Sequence, residues 1–235
     1  MPLRPQPKRR DDIFFLCMVA AILSVNFVGF AKTYYLAGVF RAPLPGPLVH
    51  IHGALFTSWL LLLAVQTALV AVNRIRLHRT FGVLGGIIAS GMLLFGSMVT
   101  ASALRRHAFP TEGRAAFILV ADVGALILFA LFVTIGLLKR NDVVQHKRLM
   151  LLASIAILGP ALSRWSFPFM KWPPAVFLLW LMFPLSLLVF DTVSRRRPCT
   201  VTVVGCILLL MYVCSVGPLS STRAVRTVVR SAGSR

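Results

Sequence analysis

Short charged links divide the chain into apolar blocks long enough to cross a bilayer, a passage that takes about 20 helical residues. Hydrocarbon offers no partner to a backbone N–H or C=O, so each block must satisfy its own backbone and fold as a helix. The expected spans are 13–31, 48–72, 82–104, 115–138, 149–165, a segment following Pro173 and Pro174 and ending near Asp191, and 199–216. The predicted fold class is therefore all-α, an integral membrane helical bundle of about seven transmembrane helices. Composition agrees, with 58% hydrophobic and 13% charged residues, where soluble domains carry about 45–50% and about 25%.

Residues 1–12 form a basic tail, 13–217 a single bundle, and 218–235 a Ser/Arg-rich tail expected to be disordered. The first block is long for a signal peptide and no small-x-small cleavage site follows it, so it is read as a retained helix. Lys and Arg of alternate links set orientation. The N-terminal side holds 14 of them and the other side seven, which predicts a cytoplasmic N-terminus in the cytoplasmic membrane. Residues 201–216 carry no charge, so the seventh block is read as spanning. Arg223, Arg226, Arg230 and Arg235 then raise the second count to 11.

The net charge of +19 could suggest nucleic acid, but the cations sit at block ends, where they meet lipid head groups. The lipid bilayer is the expected partner, and no nucleic acid. Cys17, Cys199, Cys206 and Cys214 have neither C-x-x-C nor ligand spacing, so no metal site is read from them. The chain carries no G-x-S-x-G, H-E-x-x-H, Walker A or G-x-G-x-x-G motif, and its six acidic residues leave few candidates for paired-carboxylate chemistry. No catalytic residue is assigned.

Asp122 falls about 10 Å below the end of the fourth block at 1.5 Å per residue, a depth at which a carboxylate must be paired, protonated or wet. His52, Trp59 and Gln66 recur every seven residues and share one helix face. Arg164 follows Gly159 and Pro160, and the bend at that proline could aim it inward. His52, Asp122 and Arg164, with Trp59 and Gln66, are thus a candidate ligand-binding or proton-relay cluster in the outer half. The alternatives are a carboxyl hydrogen-bonded to a neighbouring helix and an Arg164 that snorkels in an aromatic belt with Trp165, Phe167, Phe169 and Trp172.

His78 and His146 stand in links on the opposite side. There they either cap an interface or approach each other to ligate haem b, a cofactor ranked below the reading with none. Gly82, Gly86 and Ser90 form a small-residue face suited to close packing, within the bundle or in an oligomer. Asp191 and Arg195 are expected to make a surface pair of little energetic weight. The remaining reading is a structural or assembly partner without ligand.

His52-Gly53 with Trp59 and Gln66, Leu77-His78-Arg79 with Gly82, and His146-Lys147-Arg148-Leu149-Met150 with Pro160 and Arg164 together carry a resemblance. Over roughly residues 25–200 the chain resembles an uncharacterised family of bacterial multi-helix membrane proteins, with Asp122 and Asp191 also at family-like positions. Arg197 stands where the pattern has a histidine, and the chain departs from it beyond Thr200. The resemblance implies a bacterial cytoplasmic membrane location and no particular activity.

Overall fold

The computed structural model describes residues 8–165 and 175–233. Residues 1–7 of the basic tail, Pro173, Pro174, and Phe167, Phe169 and Trp172 of the expected aromatic belt lie outside the described residues. The helices are α1 (Lys8–Phe30), α2 (Pro47–Ala71), α3 (Ile75–Arg105), α4 (Glu112–Leu138), α5 (Val143–Ala156), α6 (Gly159–Leu162), α7 (Ala175–Arg195), α8 (Thr200–Ser220) and α9 (Arg223–Gly233), with a π-helical extension of α1 over Ala31–Tyr35. Among the described residues there is no strand, and α1 with its extension, α2, α3, α4, α7 and α8 are long and apolar enough to cross a membrane.

The remaining passage is made by α5 and α6 together. Pro160 opens α6 at a position where its missing N–H costs nothing, and the preceding helix stops at Ala156 rather than running on. The break is chemically satisfied. Ile155 C=O accepts from Trp180 Nε1 at 3.0 Å and from Leu158 N at 3.2 Å. The two ends of the segment fix its course. Lys147 of α5 forms an ion pair with Asp11 in the first turns of α1. At the other end, a Cβ on Gly29 near the end of α1 would collide with the Ala161 carbonyl oxygen of α6. Hence α5 and α6 run alongside the whole of α1. Of the two bundle faces, the one carrying Asp11 and the start of α5 is termed proximal, the one carrying Gly29 and α6 distal.

Burial inverts the pattern of a soluble protein. The central α5 buries Arg148, Leu149, Leu151, Leu152, Ala153, Ser154, Ile155 and Ala156. The surrounding helices leave Val83, Ile87, Ile127 and Met211 60–70% exposed. A water-facing surface would not hold so many large apolar side chains, whereas lipid is as apolar as they are.

Two expectations are revised. The Ser/Arg tail is not disordered throughout, because 223–233 form α9, in which Arg and Val alternate with helical rather than random spacing. It packs on the distal ends of α3 and α4, and Arg230 bonds Glu112 at 2.9 Å. α8 therefore crosses the bundle, from Thr202 beside Asp191 to Tyr212, whose hydroxyl donates to Ala121 C=O at 2.7 Å. The small-residue face of α3 is split. Gly82 faces Gln66 and Gly85 faces Leu62 of α2, whereas a Cβ on Gly86 would meet nothing within 4 Å and Ser90 is exposed.

Candidate functional site

The links that hold His78 and His146 in the sequence reading are helical in the structure. α3 begins at Ile75, so His78 lies in its first turn. Asp142 caps α5 through Oδ1, accepting from Val144 N and Gln145 N at 3.0 Å each, so His146 lies in the first turn of α5. Both turns are at the proximal face. The imidazole centroids stand 6.1 Å apart with their planes at 86°. His146 Nδ1 lies 2.8 Å from the Gly136 carbonyl oxygen, which can accept its proton and leave Nε2 as the free lone pair. Gly136 lets α4 and α5 approach closely, since a Cβ there would push against the Met150 methyl and meet Leu149 Cβ at 3.2 Å.

Gln66 belongs to this cluster. Its Nε2 donates to His78 C=O at 3.0 Å, whereas its Oε1 and His78 Nδ1 are both buried without a hydrogen-bond partner. A buried polar atom left unpaired costs about 1–3 kcal/mol, so Gln66 and His78 carry unmet hydrogen-bonding capacity in the cluster that also holds the His146 ring. At about 21 Å from His52 along the α2 axis, Gln66 cannot share a site with it.

The proposed outer cluster is distal and looser. Asp122 accepts from Thr100 Oγ1 at 3.1 Å. Arg164 instead donates to Pro160 C=O at 2.7 Å and places its guanidinium 4.7 Å from the Phe30 ring centre. Arg164 and Asp122 make no ion pair among the described residues, although each lies within the other's field. The ring of His52 packs 4.3 Å from Phe56, with Nδ1 buried and unpartnered. Trp59 is a packing anchor, donating to Ser154 Oγ at 3.1 Å and meeting Phe129 edge-on at 5.0 Å.

One polar feature escaped the sequence reading, and it corrects the expected Asp191–Arg195 surface pair. Asp191 is wholly buried and paired with Arg148, itself 0% exposed. Arg148 Nε lies 3.1 and 2.9 Å from the two carboxylate oxygens, Nη2 also donates to Oδ1, and Nη1 donates to Val144 C=O at 2.9 Å. Thr202 of α8 completes the set by donating to Oδ2. The signal was the run His146-Lys147-Arg148. On a helix, consecutive residues point about 100° apart, so three polar side chains in a row cannot all face one surface. Here His146 turns to α3 and α4, Lys147 to α1, and Arg148 to α7 and α8.

These features define a multi-pass membrane protein with a polar core at its proximal end. Comparison with known protein families, curated proteins and solved structures returns no match.

Proposed function

We propose that this membrane protein holds a metal-centred cofactor, haem b, between His78 and His146. The observation that carries the reading is the imidazole pair at 6.1 Å. Rings this close would let one nitrogen of each imidazole hold a shared iron. Two imidazoles suffice for an iron whose other four ligands a porphyrin supplies. A bare ion needs more protein ligands, and among the described residues no three of His, Cys, Asp and Glu come together. The Gly136 carbonyl would orient His146 by holding its other ring nitrogen. With the N-terminus cytoplasmic, as the link charges favour, the site faces the cytoplasm. The likeness to bacterial multi-helix membrane proteins agrees with a cytoplasmic membrane.

The test is a reduced-minus-oxidised visible spectrum of the detergent-purified protein. Sharp α and β bands with a Soret shift are expected, and His78→Ala or His146→Ala should each abolish them. A flat spectrum from well-folded, haem-supplied protein would remove the proposal.

A second reading places ligand or proton binding at the distal face, and rests on Asp122 being held inside a span by a single hydroxyl. Wild-type behaviour of a His52, Asp122 and Arg164 triple substitution in proton-flux and ligand-binding assays would sink it.

A further inference from the structure

α9 is short and strongly amphipathic, and its surroundings say what lies against it. At 100° per residue, Arg223, Arg226 and Arg230 fall within an arc of about 60°, and all three are exposed. Ala224, Val225, Val228, Val229 and Ala232 occupy the opposite side. That apolar side is divided in two. Val225, Val229 and Ala232 are half-buried where α9 packs on α3 and α4, whereas Ala224 and Val228 are exposed, Val228 at 52%. The helix thus presents the bundle with one flank, leaves a second apolar flank open, and carries its row of guanidinium groups on the side away from that open flank. Arg105, Arg106 and Arg114, all exposed, sit on the helix ends beneath it. Among the described residues Glu112 is the one carboxylate at this surface, and Arg230 already engages it.

A soluble polyanion would match the charge and leave the open aliphatic flank in water. A leaflet with anionic head groups matches both, taking Ala224 and Val228 at the acyl boundary and the arginines at phosphate level. We propose that the arginine face of α9 binds anionic phospholipid head groups of the leaflet at the distal face. This surface is independent of the histidine pair, some 30 Å away across the bilayer core.

Full-length protein in detergent is equilibrated with phosphatidylglycerol or phosphatidylcholine, and retained lipid is counted by native mass spectrometry. Phosphatidylglycerol should be retained in preference, with retention falling as salt is raised. R223Q/R226Q/R230Q should lose that preference by about fivefold for each arginine removed. R223K/R226K/R230K keeps the charge and should keep most of the preference. Val228→Ser should weaken lipid retention and leave any binding of inorganic phosphate unchanged. Equal retention of the two lipids, or a preference that survives the glutamine variant, would overturn the proposal. So would inorganic phosphate displacing phosphatidylglycerol at matched concentration, which would make this a free-anion site. If the glutamine variant fails to fold, the salt titration of the lysine variant decides, and salt-insensitive retention would count against the proposal.

Discussion

At the proximal end of the bundle Arg148 meets Asp191 through both carboxylate oxygens and Thr202 closes the set, while Lys147 reaches Asp11 and His146 leans on Gly136. At the distal end Asp122 takes one hydrogen bond from Thr100, and Arg164 turns back to the Pro160 carbonyl of its own turn. Both ends contain polar groups joined across helices, yet among the described residues the wholly buried ion pair lies at the proximal end. The difference lies in α5. As the central helix it can send consecutive residues to α1, α3, α4, α7 and α8, and each polar side chain finds a partner in a different direction. Asp122 on α4, which packs against α3, α5, α8 and α9, meets the Thr100 hydroxyl and no cation among the described residues. Buried charge pairing is therefore concentrated around α5, and that end also carries the buried, unpartnered Gln66 Oε1 and His78 Nδ1.

The largest effect should come from breaking the buried pair. Arg148→Ala leaves the Asp191 carboxylate buried without its cation, and the loss should be about 3–5 kcal/mol, read as a much lower thermal unfolding midpoint in detergent. Replacing both partners with leucine should recover much of that loss, because two apolar side chains leave no charge unpaired. An Arg148→Ala protein with an unchanged midpoint would mean that the proximal network does not hold the helices together.

A smaller effect is expected where α5 begins. Asp142→Ala removes the side chain that accepts from Val144 N and Gln145 N, costing about 1 kcal/mol. The Asp142 carboxylate is held below its ordinary value of 3.8, first by the Gln145 backbone N–H, against an opposing effect of desolvation, with the Gln145 side chain, Val144 N–H and the charge of Lys139 adding to the lowering. A depressed folded-state value means that this stabilisation is fully present above about pH 4 and fades as pH falls from there through the folded value. Asp142→Asn keeps a capping oxygen and cannot titrate, so the gap in midpoint between it and wild type should narrow on acidification below pH 4. A gap constant with pH would show that the cap is not ionic.

The six long apolar helices were legible because lipid forces backbone satisfaction within each segment, and apolar block length reports that directly. The break at Pro160 was legible for the same local reason. The destinations of polar side chains were not. Asp191 with Arg195 four residues on looks like a helix-surface pair, and only the packing of α5 between α7 and α8 gives Asp191 to Arg148, 43 residues away in sequence. Gln66 was grouped with His52 because a seven-residue period shares a face. Periodicity fixes direction around the axis and says nothing of depth, and depth assigns Gln66 to the histidine pair. α9 was missed because a basic, serine-rich tail has a disordered composition, and its amphipathic spacing gains value only when α3 and α4 lie beneath it.

The smallest effect is expected at Asp122, and it is the sharpest test of the contrast between the two ends. Asparagine keeps an oxygen where the Thr100 hydroxyl donates, so Asp122→Asn preserves the one hydrogen bond the carboxylate makes. With no ion pair to lose, the unfolding midpoint should stay within the shift given by about 0.5 kcal/mol. Asp122→Ala also removes the acceptor and should cost about 1 kcal/mol more, the worth of a typical buried hydrogen bond. If Asp122→Asn instead destabilises on the scale of Arg148→Ala, the carboxylate is ionised and Arg164 supports it despite their separation. The distal end would then be a second charged core, and polar bonding in this bundle would follow the charges themselves rather than the position of α5.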